Sequence, residues 1–322
     1  MKSFTVIAGP EGKSVVRAAI NAYPSLKPPV LHKALKKKDV RVNGKRIHKD
    51  EIVFGGDHVE LWLPDSLFFP EPSAAKAAKP LYEILFEDDR LLVVHKRPGI
   101  SVHSGGNSET LSLVDLLRQD CGDPQITLCH RLDRNTGGVL LLAKGSAAAK
   151  EVELLFRTGL ITKKYRCLVR GVPRQGVPCL SEDDTVMREL CAYLEKDKMG
   201  EVYVHGEPGN SYLPIVTHYR VMQSFEHAGP EGEAVSELEV ELITGRTHQI
   251  RVHFASIGHP VLGDGKYGRN LFNKHFQGVK YQQLYAVSLR FASLPRGHLL
   301  SHVSGKIFSV SPEFGFGGVE KR

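Results

Sequence analysis

The sequence has few of the features that mark several large classes of protein. Its five cysteines, at positions 121, 129, 167, 179 and 191, are odd in number and form no C-x-x-C pair, which disfavours a zinc knuckle or a disulfide framework. No apolar run approaches the roughly 18 residues that a membrane-spanning helix needs. The apolar stretch in the opening MKSFTVIAGPEGKS is too short for a signal peptide. We therefore expect a cytoplasmic protein that has no membrane partner.

A nucleotide-binding loop is also missing. Residues 9–14, GPEGKS, look like the end of a phosphate-binding loop. The first glycine of such a loop would fall at position 7, where Ile7 stands. The sequence therefore does not support an ATPase.

Positive charge is present and unevenly placed. The net charge is +7 at pH 7, and residues 1–64 hold twelve Lys and Arg against six Asp and Glu, a difference of +6. A basic module of this kind is typical of a protein that binds nucleic acid. We predict a small basic domain over residues 1–64, a linker rich in Pro, Ala and Lys over 65–80, and a larger domain over 81–322.

The basic domain combines a helical pattern with short strands. A helix-like run places three lysines on one face, and Asn43-Gly44 predicts a tight turn after the strand candidate 40–42. The lysines alone fit a solvated surface as well as a binding face. The segment nevertheless resembles the small RNA-binding (alpha-L) domain of a ribosomal small-subunit protein, which several RNA-modifying enzymes also carry. That resemblance implies RNA contacts from Lys33, Lys36, Lys37, Arg41 and Lys45.

The larger domain contains the motif LCHRLDRNTGGVLLLAK at residues 128–144. Asp133 stands between a basic pair and a Thr-Gly-Gly turn, so it is either a turn or helix cap or a reactive carboxylate. Alternating segments surround this motif, and TLSLVDLLRQ and AAAKEVELLFR have helical periodicity. We predict an α+β fold with a mixed, largely antiparallel sheet and flanking helices, plus a small α/β domain at the N-terminus.

Three further motifs weigh toward the reactive carboxylate. They are KRPGISVH at 96–103, KKYRCLV at 163–169 and TGRTHQIRVH at 244–253. Together with HRLDRNT, in this order and spacing, they resemble the RluA-type pseudouridine synthases over roughly residues 81–310. Gly137 departs from the serine that this family often has after the threonine.

The resemblance implies an RNA isomerase that needs no cofactor. Such an enzyme breaks the bond from ribose C1′ to uracil N1 and rejoins the base through C5, and a carboxylate can act as nucleophile or proton acceptor in that sequence. Asp133 matches the family's catalytic aspartate, and Tyr165 matches an active-site tyrosine. Arg246 is assigned as the arginine that keeps Asp133 ionised through a two-pronged ion pair. The residues leave open whether Asp133 attacks the base, attacks C1′ or removes a ribose proton.

Further polar residues in the motifs are assigned to RNA binding. Arg131 is expected to hold the loop or the flipped nucleotide. The histidines of the motifs lack the spacing of a helical zinc pair, so we predict no metal site. The remaining RNA-binding assignments are Lys96, His248 and Arg251.

Two other functions are alternatives to the isomerase. A non-catalytic RNA-binding or ribosome-assembly factor would not need the set Asp133, Tyr165 and Arg246. A nuclease or RNA glycosidase would want a paired acid and base or a metal cluster, which the sequence does not offer. We therefore expect a monomeric enzyme that acts on structured RNA, with ribosomal RNA of the large subunit favoured over transfer RNA.

Overall fold

The computed structural model describes residues 1–7, 11–68, 80–103, 111–181, 183–198 and 200–316. The chain forms two compact units, residues 1–79 and 80–322. Each unit has its own hydrophobic core and is described by itself.

In its described residues, the N-terminal unit combines a small sheet with three helices, α1, α2 and α3. The main sheet has the antiparallel order β1-β6-β3-β4, and β2 pairs with β5. In β6, Val59 and Leu61 are fully buried and alternate with more exposed residues, because successive side chains of a strand point to opposite faces. The elements are β1 (Lys2–Thr5), β2 (Lys13–Ser14), α1 (Val15–Ala22), α2 (Pro28–Lys37), β3 (Val40–Val42), β4 (Lys45–Ile47), β5 (Ile52–Val53), β6 (His58–Leu61) and α3 (Asp65–Phe68).

Helix α2 carries the predicted lysine face. Its apolar residues Leu31, Ala34 and Leu35 recur at helical spacing and are buried, which turns the lysines of the helix outward. The helix ends at Lys37 and is capped by Lys38, whose left-handed backbone (φ 61°) directs its N–H to the carbonyl oxygens of Ala34 and Leu35. The boundary thus follows from local geometry.

The tight turn predicted at Asn43-Gly44 is confirmed. Both residues have positive φ, 50° and 79°, and they join β3 to β4 as a two-residue hairpin loop. Asn and Gly tolerate this conformation better than other residues, which explains their position.

The start of the predicted linker is wrong. Asp65–Phe68 forms helix α3, and Phe68 is buried in the core of the N-terminal unit. Apolar Leu67 and Phe68 gain more from packing on that core than from solvent exposure. The rest of the predicted linker, residues 69–79, lies outside the described residues.

The C-terminal unit is built on one mixed sheet. Within the described ranges its main path runs β12-β13-β15-β16-β11-β17-β10-β8-β7, with β14, β18 and β9 paired to β13, β17 and β10. The pairing of β10 with β17 is parallel and the other pairings are antiparallel. The strands are β7 (Tyr82–Glu87), β8 (Leu91–Lys96), β9 (Ile126–Leu128), β10 (Gly137–Lys144), β11 (Ile161–Arg170), β12 (Val177–Leu180), β13 (Val186–Lys196), β14 (Val202–His205), β15 (Leu213–Phe225), β16 (Val235–Leu242), β17 (Leu284–Phe291) and β18 (Ile307–Ser309).

Helices flank this sheet, as predicted. Ser112 caps the first of them in a capping box with Asp115, and both helices predicted from periodicity are confirmed. The helices are α4 (Leu113–Asp120), α5 (Ser146–Arg157), α6 (Gln249–Ser256) and α7 (Asn270–His275), with a short 3₁₀ turn at Ser301–Val303. Over the described parts of the chain, no helix is long and apolar enough to cross a membrane.

The topology brings the sequence motifs together at the centre of the sheet. Strand β10 is buried from Gly137 to Ala143 and lies between β8 and β17. The HRLDRNT motif is the segment that leads into β10. Strand β11, which carries Tyr165, lies on the other side of β17. The α+β prediction for this unit is confirmed.

Candidate active site

Asp133 lies in the loop that joins β9 to β10. Its backbone carbonyl accepts a hydrogen bond from the N–H of Thr136 at 3.0 Å, so its main chain opens a turn. Its side chain does not cap that turn, because the carboxylate accepts instead from Arg251, as described below. The backbone of Asp133 therefore takes part in the turn, whereas its carboxylate is left for the ion pair with Arg251.

Lys96 holds this loop in place. It lies at the end of β8, is fully buried, and donates from Nζ to the carbonyl oxygens of Arg97, Arg134 and Thr136 at 3.0, 2.9 and 2.7 Å. Burial lowers the pKa of Lys96 to about 7, although the charge of Asp133 opposes this shift. The assignment of Lys96 to RNA binding is wrong, since its ammonium is enclosed and its three donors are already used.

A cavity of about 860 Å³ opens beside Asp133. Pockets of this size accommodate small ligands up to several hundred cubic ångströms. Backbone loops and side chains from several parts of the C-terminal unit line it. They include Ser101, Val102, His103, Val114, Arg118, Thr127, Leu128, Arg131, Asp133, Arg134, Asn135, His248, Arg251 and Gln282.

Arg251 is the cation that pairs with Asp133. Its Nη1 donates to Asp133 Oδ2 at 2.7 Å. The assignment of Arg246 to this pairing is wrong: Arg246 is exposed, and its backbone N–H donates to Gln249 Oε1 at 3.0 Å. The contact to Asp133 is also one-pronged, since the second oxygen accepts no hydrogen bond from the described residues.

The position of α6 explains which arginine reaches the carboxylate. Arg246 precedes the helix, whereas Arg251 lies within it, three residues after His248, so His248 and Arg251 share one face. That face lines the cavity. The sequence had assigned Arg251 to RNA binding, but its guanidinium is engaged by two carboxylates, Asp133 and Asp264.

Asp264 completes a chain of three charged groups. It is fully buried and accepts from Arg251 Nε at 2.6 Å and from Nη2 at 3.0 Å. Burial lowers the pKa of Arg251, but the hydrogen bonds and charges of the two aspartates outweigh it and raise the pKa above its ordinary value. Burial alone would raise the pKa of Asp264. The hydrogen bonds and the charge of Arg251 outweigh this effect and hold the pKa of Asp264 below its ordinary value.

His248 stands on the other side of Asp133. Its Nε2 lies 3.9 Å from Asp133 Oδ1, and its Nδ1 shares a hydrogen bond of 2.8 Å with the Tyr267 hydroxyl. Burial lowers the pKa of His248, with the Asp133 charge opposing it. The imidazole is therefore largely neutral at pH 7, which favours hydrogen bonding over a permanent cationic phosphate contact.

Tyr165 lies in the core beneath the site. It is 5% exposed on β11 and packs in the main hydrophobic cluster, and it is not among the residues that line the cavity. Burial, and then the charge of Asp133, raise the pKa of Tyr165 well above its ordinary value. The phenol is thus protonated at neutral pH, and it lies close enough to Asp133 for the negative charge of the carboxylate to affect its pKa.

A family model described as RNA pseudouridylate synthase matches residues 90–256. The chain belongs to the RNA pseudouridine synthase family. The ribosomal large subunit pseudouridine synthase C of Vibrio vulnificus is 31% identical over 271 residues, which cover 81% of this chain and 79% of that protein. The synthase C of Haemophilus influenzae is 29% identical over 93% of this chain and 90% of its own length.

A solved structure agrees with this family. Human RNA pseudouridylate synthase domain containing 1 has a TM-score of 0.51 and 27% identity, and the match covers 65% of this chain and 78% of that one. The synthase reading of the four motifs is therefore confirmed, and with it the assignment of an isomerase over a purely structural RNA binder.

Most of the other cations that were assigned to RNA binding are exposed, and Arg41 is half-buried. Arg131 lines the cavity with an exposed side chain. In the N-terminal unit Lys33, Lys36, Lys37 and Lys45 are exposed, and the guanidinium of Arg41 lies 4.9 Å from the centroid of the Trp62 ring. These groups are open to a polyanion, unlike Lys96 and Arg251.

The sequence analysis did not identify Asp264, and it did not recognise that α6 directs Arg251 toward Asp133. Asp264 lies in the stretch IGHPVLGDGKYG, which continues the last motif beyond residue 253, but it was given no role there. Spacing could have selected Arg251 over Arg246, because residues 248 and 251 share a helical face. Within the described residues no group of three or more His, Cys, Asp and Glu is arranged to hold a metal ion.

Proposed function

We propose that this synthase isomerises uridine to pseudouridine in ribosomal RNA of the large subunit. The names of the Vibrio and Haemophilus relatives, which identify ribosomal large subunit enzymes, support this substrate. The Haemophilus match extends over 93% of the chain. The exposed lysines of the N-terminal unit provide sequence-independent attraction to an RNA backbone.

The observation that carries the catalytic proposal is the unequal hydrogen bonding of the two Asp133 carboxylate oxygens. One oxygen is held by Arg251 at 2.7 Å, whereas the other accepts no hydrogen bond from the described residues and belongs to a group that lines the cavity. An ionised carboxylate with one oxygen fixed and one free is suited to act on a bound nucleotide. We assign Asp133 as the reacting group.

The other roles follow from position and charge. Arg251 replaces Arg246 as the charged partner that holds the Asp133 carboxylate in place. Tyr165 stays in the proposed catalytic set because its buried phenol is close enough to Asp133 for the charge of the carboxylate to raise its pKa. Arg131 and His248 line the cavity and are assigned to the flipped nucleotide.

The substrate uridine must leave its helix to reach this cavity. A base stacked inside a duplex is shielded from side chains at the bottom of a pocket, so such enzymes act on unpaired or everted nucleotides. A cavity of about 860 Å³ admits a nucleotide. We expect the enzyme to act as a monomer in the cytoplasm.

Tritium release from RNA that carries 5-tritiated uridine tests this function, because the hydrogen at C5 is lost when C5 bonds to C1′. We expect release from an unmodified large-subunit ribosomal RNA transcript and none from a pool of transfer RNA transcripts. Release from transfer RNA alone would contradict the proposed substrate.

The same assay tests Asp133. Asp133→Asn should bind the transcript as the wild type does but lose at least about 10⁴ in rate, as is typical when a reacting group is removed. Glu207→Gln, at an exposed carboxylate, is the matched control and should keep the wild-type rate. Wild-type release by Asp133→Asn would refute the catalytic assignment.

A further inference from the structure

Asp264 is buried without lining the cavity, yet it touches the residue that holds Asp133. Its two oxygens are both engaged: Oδ2 accepts from Arg251 Nε, and Oδ1 accepts from Arg251 Nη2 and from the backbone N–H groups of Lys266 and Tyr267 at 2.9 and 3.0 Å. A carboxylate held from four directions has a single orientation.

The segment that carries Asp264 is itself fixed. Asn273 of α7 donates from Nδ2 to the Asp264 carbonyl at 3.0 Å and accepts from the Gly263 N–H at 2.9 Å. Gly263 has φ 79°, and a Cβ there would lie 2.3 Å from the carbonyl oxygen of Tyr281. Only glycine fits this close approach, so a side chain at position 263 would displace the backbone next to Asp264.

This geometry decides how Arg251 meets Asp133. A guanidinium offers its five N–H groups in a rigid planar fork. Asp264 takes the Nε and Nη2 edge in a two-pronged contact, and this fixes the plane and leaves Nη1 to reach Asp133 Oδ2. The two-pronged contact that a lone arginine prefers with a carboxylate is thus made with Asp264 and not with Asp133.

The charges reinforce this division. Asp133, Arg251 and Asp264 together carry one net negative charge, so the arginine neutralises neither carboxylate fully. A carboxylate bound through one oxygen, and only partly neutralised, keeps more of its reactivity than one clamped at both oxygens.

We propose that Asp264 is a positioning residue for the isomerisation: it fixes Arg251 so that Asp133 is held by one oxygen and presents Oδ1 to the uridine. This inference rests on the proposed role of Asp133. It assigns to Asp264 no contact with the substrate. If the role of Asp264 were only structural, it would neutralise the buried Arg251, and replacing it would change the stability of the protein but not its rate.

The test compares Asp264→Asn with Glu237→Gln. Glu237 is also a buried carboxylate paired with an arginine, Arg166, at 2.5 Å, but it does not line the cavity or contact Arg251. Both variants should lower the melting temperature. Under single-turnover conditions at saturating RNA, Asp264→Asn should lose about 10²-fold in rate with unchanged RNA affinity, as expected for a misplaced reacting group, whereas Glu237→Gln should keep the wild-type rate.

Two readouts separate positioning from stability. The rate of Asp264→Asn should stay low when it is measured per folded molecule and well below the melting temperature of the variant, which a loss of stability alone would not cause. Asn273→Ala, which loosens Asp264 without removing its charge, should lower the rate in the same direction by about tenfold. This variant judges the proposal if Asp264→Asn fails to fold.

A crystal structure of Asp264→Asn judges the proposal independently of activity. We expect the guanidinium of Arg251 to shift and contact both oxygens of Asp133. An unchanged single contact from Nη1 to Oδ2, or an unchanged rate in folded Asp264→Asn, would overturn the proposal. If the wild type released no tritium, the proposed function would fail while the crystal structure still decided the role of Asp264.

Discussion

The two units of the synthase use positive charge in opposite ways. In the N-terminal unit, α2 buries its apolar stripe and leaves Lys33, Lys36 and Lys37 exposed. In the C-terminal unit, Lys96 and Arg251 are buried and their donors are met by carbonyl oxygens or carboxylates. Exposed cations attract a polyanion over a distance set by salt, whereas buried, partnered cations fix geometry and are screened little.

Among substitutions of these cations, we expect Arg251→Lys to lower the catalytic rate most. A lysine has one point charge and no planar fork, so Arg251→Lys cannot bridge Asp264 and Asp133 in the same geometry. We expect a loss of about 10²–10³ in the single-turnover rate, the range for removing one fixed donor from an active site.

Arg246→Lys is the matched control for that variant. Because Arg246 is exposed and does not line the cavity, its conservative replacement should leave the saturating rate close to wild type. Tritium release by both variants, measured side by side, checks the comparison. A larger loss in Arg246→Lys than in Arg251→Lys would restore the pairing first expected from the sequence.

A smaller effect is expected on the pH dependence of stability, and it comes from His253, a buried histidine that stays neutral. His253 on α6 is 2% exposed and shares a hydrogen bond of 2.9 Å with the Thr217 hydroxyl, and burial lowers its pKa to about 4. The unfolded chain binds a proton near pH 6.5 that the folded state refuses until about pH 4. The stability that this difference in pKa contributes is therefore fully present above pH 6.5, and it is lost as the pH falls from 6.5 to about 4.

Urea unfolding at pH 7 and pH 5 measures this contribution. His253→Gln should lose about 2 kcal/mol less stability than the wild type between these two pH values. His275→Gln, at an exposed histidine of α7, should lose as much as the wild type does. Equal losses in all three proteins would show that His253 is not held neutral by the fold.

The smallest effect is expected from the exposed lysines. Replacing Lys33, Lys36 and Lys37 with Ala removes three phosphate contacts at most, so the slope of log affinity against log salt should fall by about 2. The rate at saturating RNA should not change. Lys150, Lys196 and Lys198 are exposed lysines of the C-terminal unit, and their triple Ala variant, matched in charge, should alter the slope less; the reverse ranking would contradict an RNA-binding role for α2.

Local patterns predicted the fold well because the relevant forces are local. The lysine face of α2, the Asn43-Gly44 turn and the helices α4 and α5 follow from periodicity and turn chemistry, and the four motifs identified the family. Helix α3 was missed because its Leu67 and Phe68 respond to a core formed by distant residues, which a linker composition does not reveal.

The details of the site were harder to predict because they depend on contacts between distant segments. Arg251 meets Asp133 across 118 positions and Asp264 across 13. Lys96 looked like a surface cation, and only the return of the Asp133 loop over β8 encloses it with carbonyl oxygens. The sequence indicates which residue types are present, but the sheet order decides which of them meet.

The most direct test of the central claim is to map pseudouridine in total RNA from cells that lack this protein and carry either the wild type or Asp133→Asn. We expect the wild type to restore pseudouridines in large-subunit ribosomal RNA and Asp133→Asn, at equal abundance, to restore none. Restoration of the same positions by Asp133→Asn would contradict the claim that the carboxylate of Asp133 performs the reaction.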